Sequence, residues 1–338
     1  GSLLFLYSCS SNEKSSTTGW GYNNSKNGGF ETNTKFSEQI TGPGLVFVEG
    51  GSFTMGRVEQ DVMYEWNNVP RRVTVSSFYL DETEVRNVDY LEYLYWLQRV
   101  YSQSYPEVYK KALPDTLVWR DKLGYNEPFV TQYLRHPAYR NYPVVGVSWE
   151  QATNFCVWRT DRVNERILIN EGILKEDPEQ VDDNTFNTEA YLAGQYEGIV
   201  RKNPRNFNPS TGEKTRQARM EDGILLPKYR LATEAEWEYA ANAGGKQPKK
   251  DFNCRVSVNQ KLIKGTGIVS VKSGKSNGWG LKNYVGNVQE WVMDEKALLA
   301  RGGAYTDAHS KCAISLEREH KGEGDEATGF RLIRENVG

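Results

Sequence analysis

Residues 229–240 have the sequence Tyr-Arg-Leu-Ala-Thr-Glu-Ala-Glu-Trp-Glu-Tyr-Ala, and this stretch decides a central part of the fold. Thr233 and Glu236 have the spacing of a capping box, in which the hydroxyl accepts from the backbone N–H three residues later and the Glu side chain reaches back. Apolar residues follow, and Gly244-Gly245 supplies a glycine stop. The stretch therefore predicts a helix that begins after Thr233 and ends at Gly244-Gly245.

Two further helices are predicted upstream of this stretch. Ser148 and Gln151 have the same capping-box spacing, and the apolar residues that follow predict a helix from Trp149 to Leu168. Between residues 84 and 100, apolar side chains recur at close to helical spacing, which predicts another helix.

Strands are predicted mainly near the two ends of the chain. Residues 45–48 and 52–56 are short runs on either side of two glycines, a pattern that predicts a β-hairpin. Alternating apolar residues predict one further strand over 72–79. Residues 101–140 have little periodicity, so an irregular connection is expected there, and frequent glycines after residue 250 predict short strands and tight turns.

The composition excludes several classes of protein. The 338 residues include 9 Trp, 20 Tyr and 12 Phe, too many aromatic side chains for a disordered chain. With 42 basic and 44 acidic residues, the net charge of -2 creates no global field that would attract nucleic acid or an anionic membrane. Three His and four Cys argue against a His-rich metal enzyme and a disulfide scaffold.

The amino-terminal residues resemble a processing signal. An apolar run ends at Ser8-Cys9 and is followed by polar residues, which resembles the lipobox of bacterial lipoproteins. Residues 1–9 are therefore predicted to be the remnant of a signal peptide, with a lipid on Cys9; a free thiol in a frayed tail is the alternative. Residues 10–43 are predicted to be a polar tether, and residues 44–338 the folded domain.

The domain is predicted to contain a long polar insert at about residues 170–222. Its later part, residues 201–219, holds six basic residues and one acidic residue. We expect a solvated loop there, and a docking surface for an acidic partner is the alternative.

Seven motifs in order carry a family resemblance. They are Gly50–Gly56, Asp81–Val85, Pro143–Trp149, Tyr229–Ala240, Val285–Trp291, Arg301–Ala304 and Gly329–Arg331. Together they resemble the superfamily of formylglycine-generating enzymes, or sulfatase-modifying factors. The resemblance implies a single α+β domain, related to the C-type lectin fold and low in regular secondary structure.

A narrower resemblance is to lipoproteins of the Bacteroidetes gliding-motility and type IX secretion apparatus that carry this domain. Residues 18–31 and 42–49 are similar to the J-type members, and the K-type paralogues are the alternative. This resemblance implies a non-catalytic lipoprotein on the periplasmic side of the outer membrane. Its partners would be other lipoproteins and ring components, with no nucleic acid and no small-molecule substrate.

The oxidase chemistry of the superfamily needs two cysteines five residues apart after an Arg-Gly-Gly-Ser motif. Here Ala304 replaces the serine, Asp307 stands at the first cysteine position and Cys312 at the second. A carboxylate is a hard ligand and a poor partner for Cu(I), so we expect neither copper nor oxidase activity. The alternative is a copper- or thiol-dependent oxidase that acts through Cys312 on a side chain of a secreted protein.

The remaining cysteines and the histidines fit structural roles. Cys156, on the helix that begins at Trp149, is predicted to be a buried free thiol. A bond between Cys254 and Cys312 is left open by the sequence. The three histidines, His136, His309 and His320, lack ligand spacing and are predicted to be surface or structural residues.

The resemblance also implies a calcium site in the Gly-Asn-x-x-Glu-Trp loop. The corresponding positions are Val285, Gly286, Val288 and Glu290. Backbone carbonyls and one carboxylate are hard oxygen ligands, which suit Ca²⁺. The alternative is an ion-free turn in which Glu290 accepts hydrogen bonds from backbone amides.

Overall fold

The computed structural model describes residues 13–36, 38–56, 70–120, 124–242, 253–254, 256–258, 261–263, 267–294, 297–308, 312–314 and 317–337. Six α-helices lie within these residues: α1 Asn87–Tyr101, α2 Pro106–Ala112, α3 Glu127–Gln132, α4 Trp149–Asn170, α5 Thr188–Leu192 and α6 Glu234–Asn242. The strands described are short: β1 Leu45–Val48, β2 Gly51–Met55, β3 Arg71–Val75, β4 Phe78–Asp81, β5 Tyr229–Leu231, β6 Val256–Val258, β7 Lys261–Ile263, β8 Gln289–Val292, β9 Leu299–Arg301, β10 Glu317–Glu319, β11 Thr328–Gly329 and β12 Leu332–Glu335. The predicted α+β domain with modest regular secondary structure is confirmed.

The strands form two four-stranded sheets and two strand pairs. The first sheet has the order β1-β4-β12-β5, and all its neighbours are antiparallel. The second has the order β10-β9-β8-β11, with β11 parallel to β8. The remaining pairs are β2 with β3 and β6 with β7. Because β12 lies between β4 and β5, this sheet joins strands that are far apart in the sequence.

The predicted β-hairpin is wrong, although both of its strands exist. β1 pairs with β4, whereas β2 pairs with β3. The glycines between β1 and β2 serve a close crossing of the chain: a Cβ on Gly50 would lie 2.5 Å from the backbone nitrogen of Ser77. The predicted strand over 72–79 is likewise two strands, β3 and β4, which separate at Ser76-Ser77 and join different sheets.

The predicted helices are confirmed, and two of them begin at the predicted caps. At α4, Ser148 Oγ accepts from the Gln151 N–H at 3.1 Å, and Gln151 Oε1 accepts from the Ser148 N–H at 2.9 Å. At α6, Thr233 and Glu236 form the same reciprocal bonds. The predicted end of α6 at Gly244-Gly245 lies outside the described residues. These starts depend on local sequence, which explains why they were predictable.

Both faces of the first sheet are buried. On one face, Tyr79 and Leu332 pack with α1 and α4, where the rings of Tyr90 and Phe155 stack with centroids 5.7 Å apart. On the other face, residues one position away along the same strands, such as Leu80, pack around Trp237 of α6. Successive strand residues point to opposite faces, so the sheet forms the middle layer between the helices.

The insert at about residues 170–222 is folded, while most of its later part, residues 201–219, is exposed as expected. It has its own hydrophobic cluster, which contains buried Ile173, Phe186, Tyr191 and Ala218. The expected irregular connection at 101–140 likewise contains the short helices α2 and α3.

Much of the predicted tether is described, and its second half contacts the domain. Asn33 Nδ2 donates to the Asp222 carbonyl oxygen at 2.8 Å, and Gln39 Nε2 to that of Leu225 at 3.3 Å. The aromatic rings of Tyr22 and Phe30 contact each other at 5.5 Å. Among the described helices, none has the length and apolar character needed to cross a bilayer.

Candidate functional site

The Arg-Gly-Gly turn after β9 is built around a buried arginine. The Arg301 guanidinium forms ion pairs with Glu234, Glu238 and Glu317 at 3.1, 2.8 and 2.8 Å. Gly302 has φ +98°, and a Cβ there would lie 2.7 Å from a backbone oxygen. Burial raises the pKa of Glu238, although Arg301 opposes the rise. Arg301 therefore ties α6 and β10 to this turn.

Asp307, at the first family cysteine position, is held at both oxygens. Its Oδ2 accepts from the Ala304 N–H at 2.8 Å, and its Oδ1 lies 2.8 Å from Arg318 Nη2. Arg318 also donates to Gln289, whose amide donates to Thr328. A polar chain thus joins the turn to β10, β8 and β11. The contact with Arg318 was not predicted, because the two residues are eleven positions apart and no local pattern joins them.

Cys312, at the second position, is bonded to Cys254. The two residues form a disulfide and are 7% and 3% exposed. Sγ of Cys312 lies 3.6 Å from the Ala304 carbonyl oxygen, which places the disulfide beside the turn. The pairing that the sequence left open is therefore made.

The donors at this turn do not fit Cu(I). Cu(I) selects soft thiolate ligands. Here one position holds a carboxylate that is paired with a guanidinium, and the other holds a sulfur that is already part of a disulfide. Cys156 lies apart on α4 and is buried and free, as predicted. Burial raises the pKa of its thiol well above the ordinary value, so it stays protonated.

The predicted calcium positions lie at and just before β8; they are Val285, Gly286, Val288 and Glu290. Glu290 is buried, and its carboxylate accepts from Arg331 Nη2 at 2.6 Å, Arg331 Nε at 2.7 Å and Trp237 Nε1 at 2.8 Å. A calcium ion would need these oxygens while lying next to a guanidinium charge. This arrangement does not fit calcium, and the described residues include no group of three or more acidic, His or Cys side chains that could hold a metal.

A second carboxylate shares the Arg331 charge. Glu84 is buried and accepts from Asn283 Nδ2 at 3.0 Å and Asn287 Nδ2 at 2.8 Å. Burial raises the pKa of Glu84 to about 7; Arg331 opposes the rise and Glu290 adds to it. Glu84 was not predictable as a site residue, because its partners lie about 200 positions away along the chain.

The two histidines that the structure describes, His136 and His320, each make a local hydrogen bond. His136 Nδ1 accepts from the Ala138 N–H, as a cap of a short helical turn. His320 Nε2 lies 2.9 Å from Asp325 Oδ2. His309 lies outside the described residues. The structural interpretation fits His136 and His320.

A groove of about 780 Å³, which was not predicted from the sequence, runs along α4. Its lining includes Asp89 and Glu92 of α1, Trp158, Arg162 and Arg166 of α4, and Lys272. Trp158, Arg162 and Arg166 recur every four residues, so they lie on one face of the helix. The groove depends on segments far apart in sequence, which local patterns cannot bring together.

Comparison with known proteins identifies the family. The family described as sulfatase-modifying factor enzyme 1-like domain matches residues 30–336, and the chain belongs to it. The formylglycine-generating enzyme of Mus musculus is 22% identical over 311 residues, which cover 77% of this chain and 63% of the enzyme. That of Bos taurus is 21% identical over 285 residues, or 74% of this chain and 57% of the enzyme. The chain thus spans less than two thirds of either relative.

A solved structure has the same fold. PvdO from Pseudomonas aeruginosa matches with a TM-score of 0.50 and 18% identity, over 90% of this chain and 99% of that chain. The predicted superfamily is confirmed. Within it, the turn described above differs from the two-cysteine pattern at Ala304 and Asp307.

Proposed function

We propose that this chain is a non-catalytic member of its family and serves as a scaffold for protein–protein contacts. The occupation of the two cysteine positions carries the proposal. Asp307 is neutralised by Arg318, and Cys312 is bonded to Cys254. Copper-dependent oxidation of a substrate thiol needs two thiolates at these positions, and neither is present in this arrangement.

The scaffold role is supported by surfaces that the oxidase chemistry does not require. The groove along α4 combines apolar and charged side chains, and the insert at 170–222 is a folded unit on the domain. Surfaces of this kind on a rigid framework are common sites of protein binding.

We further propose that the chain is anchored by a lipid on Cys9 to the periplasmic side of the outer membrane. There it would act in the gliding-motility and type IX secretion machinery, with other lipoproteins and ring components as partners. The support is the processing pattern that ends at Cys9 and the resemblance of residues 18–31 and 42–49 to J-type lipoproteins, with the K-type as the alternative.

An oxygen-consumption assay tests the loss of catalysis. Purified protein is loaded with Cu(I) and given a cysteine-containing peptide, with a formylglycine-generating enzyme as the positive control. We expect no oxygen uptake above the protein-free rate. Copper-dependent uptake that is lost in Cys312→Ser but retained in Cys156→Ser would instead establish the oxidase alternative, because Cys156 is the matched cysteine away from the turn.

Metabolic labelling tests the anchor. Cells that express the chain from its own signal peptide are grown with radiolabelled palmitate. We expect label in the unaltered protein and in Cys156→Ser, and none in Cys9→Ala. Label that persists in Cys9→Ala would rule out this anchor.

A further inference from the structure

Residues 201–219 of the insert fold back on themselves, and we call this segment the basic finger. Arg205 and Thr215 form an antiparallel bridge, and the Asn206 N–H donates to the Lys214 carbonyl oxygen at 2.9 Å. Its exposed cationic side chains are Arg201, Lys202, Arg205, Lys214 and Arg219. Within the described part of the chain, Arg216 is the one cation of the finger that forms ion pairs. The segment therefore presents five cations to solvent against one carboxylate, that of Glu213.

The finger is held firmly against the predicted tether. Arg216 pairs with both Glu31 of the tether and Asp222 at the base of the finger, and its side chain is only 13% exposed. The Phe207 N–H donates to Glu31 Oε1 at 2.6 Å. A Cβ on Gly29 would lie 2.1 Å from the Phe207 carbonyl oxygen, so only glycine allows this approach. Finger and tether consequently form one continuous surface.

The tether adds cations and aromatic rings to that surface. Lys26 and Lys35 are exposed and form no ion pair with a described residue, while Glu31 shares the charge of Arg216 with Asp222. Trp20, Phe30 and Phe36 are 58%, 66% and 46% exposed. Lysine and arginine interspersed with exposed aromatic rings suit a bilayer surface, where the cations meet lipid phosphates and the rings enter the headgroup region.

The position of this surface also favours a membrane. Cys9 and Trp20 are eleven residues apart, a stretch that spans at most about 40 Å when fully extended. A lipid on Cys9 would therefore keep the start of this surface within about 40 Å of the bilayer. This step rests on the anchor proposed above.

We infer that the basic finger and residues 20–36 together form a surface that binds anionic lipid headgroups. An acidic protein is the competing occupant, but it would leave the exposed rings and the nearby attachment point without a role. Each cation close to an anionic membrane strengthens binding about fivefold, and the effect weakens as salt screens the charges.

Vesicle sedimentation with the unlipidated Cys9→Ala protein tests the inference. Vesicles of phosphatidylcholine with one quarter phosphatidylglycerol are compared with phosphatidylcholine alone, at low and at physiological salt. We expect binding to the anionic vesicles that decreases with salt. Replacing Arg201, Lys202 and Arg205 together with glutamine should weaken it on the order of a hundredfold.

A matched variant controls for net charge. Lys110, Lys111 and Lys321 are also exposed but lie away from the finger, and their replacement with glutamine should weaken binding at most a few-fold. Absence of binding to anionic vesicles, equal binding to both vesicle types or equal loss in the two triple variants would overturn the inference. A chain that is labelled by palmitate yet does not bind these vesicles would retain the anchor and lose only the lipid-binding surface.

Discussion

The disulfide between Cys254 and Cys312 is predicted to be a major contributor to stability. The two residues are 58 positions apart, and closing a loop of that size in the unfolded chain is worth about 4 kcal/mol on the chain-entropy estimate. Domains are typically stable by only about 5–15 kcal/mol. Cys254→Ser/Cys312→Ser should therefore lower the free energy of unfolding by about 4 kcal/mol.

Guanidinium unfolding followed by tryptophan fluorescence measures this loss. Each single serine variant should cost about as much as the double variant, because either one breaks the same bond. Thiol titration of the unfolded Cys9→Ala protein gives an independent count. It should detect one thiol, that of Cys156, before reduction and three after reduction.

Two results would refute the reasoning. One is a loss below about 1 kcal/mol in the double variant, which would mean that the loop is not constrained in the unfolded state. The other is three titratable thiols before reduction. That count would also free Cys312 for metal chemistry and weaken the proposed loss of catalysis.

Three further predictions concern the buried charges and a helix cap. Because the pKa of Glu84 is about 7 in the folded protein and lower when unfolded, the native state binds the extra proton between about pH 4.5 and 7. The contribution of Glu84 to the free energy of unfolding therefore falls by on the order of 3 kcal/mol as the pH rises through that range. Glu84→Gln should flatten the pH dependence of thermal unfolding relative to the unaltered protein. Arg331→Ala leaves Glu290 buried without its cation and should lower the free energy of unfolding, measured with denaturant, by about 3–5 kcal/mol. Chelation with EDTA should leave the melting temperature of the unaltered protein unchanged, and a fall in that temperature would restore the calcium interpretation. Ser148→Ala removes the cap of α4 and should lower the free energy of unfolding by about 1 kcal/mol, whereas Ser148→Thr keeps the hydroxyl and should lose much less. Equal losses in the two variants would show that the hydroxyl is not the cause.

Features that depend on neighbouring residues were predictable from the sequence. The capping boxes at Ser148 and Thr233 place the starts of α4 and α6 within a few residues, because the bonds that form them are local. Ordered motifs likewise identified the family. The replacement of a soft ligand by a carboxylate at position 307 was visible directly, because it is a matter of residue type alone.

Strand pairing and the role of the insert were not predictable in the same way. β1 and β2 resemble the two arms of a hairpin, but their partners lie further along the chain, and the pairing with β4 and β3 is decided by which surfaces the whole fold buries. The polar composition of residues 170–222 hid a small core, since a few well-placed apolar side chains are enough to form one.

By itself, then, the amino-acid sequence determined the three longest helices, the family and the presence of a carboxylate at position 307, because each depends on residue identity or on contacts within one helical turn. Tertiary structure alone decided which partner each polar group receives. It brings Cys312 and Cys254 together as a disulfide, and it forms the ion pairs of Glu290 with Arg331 and of Arg216 with Glu31. These pairs are 41 to 185 positions apart, and only the packing of distant segments brings their atoms within bonding distance.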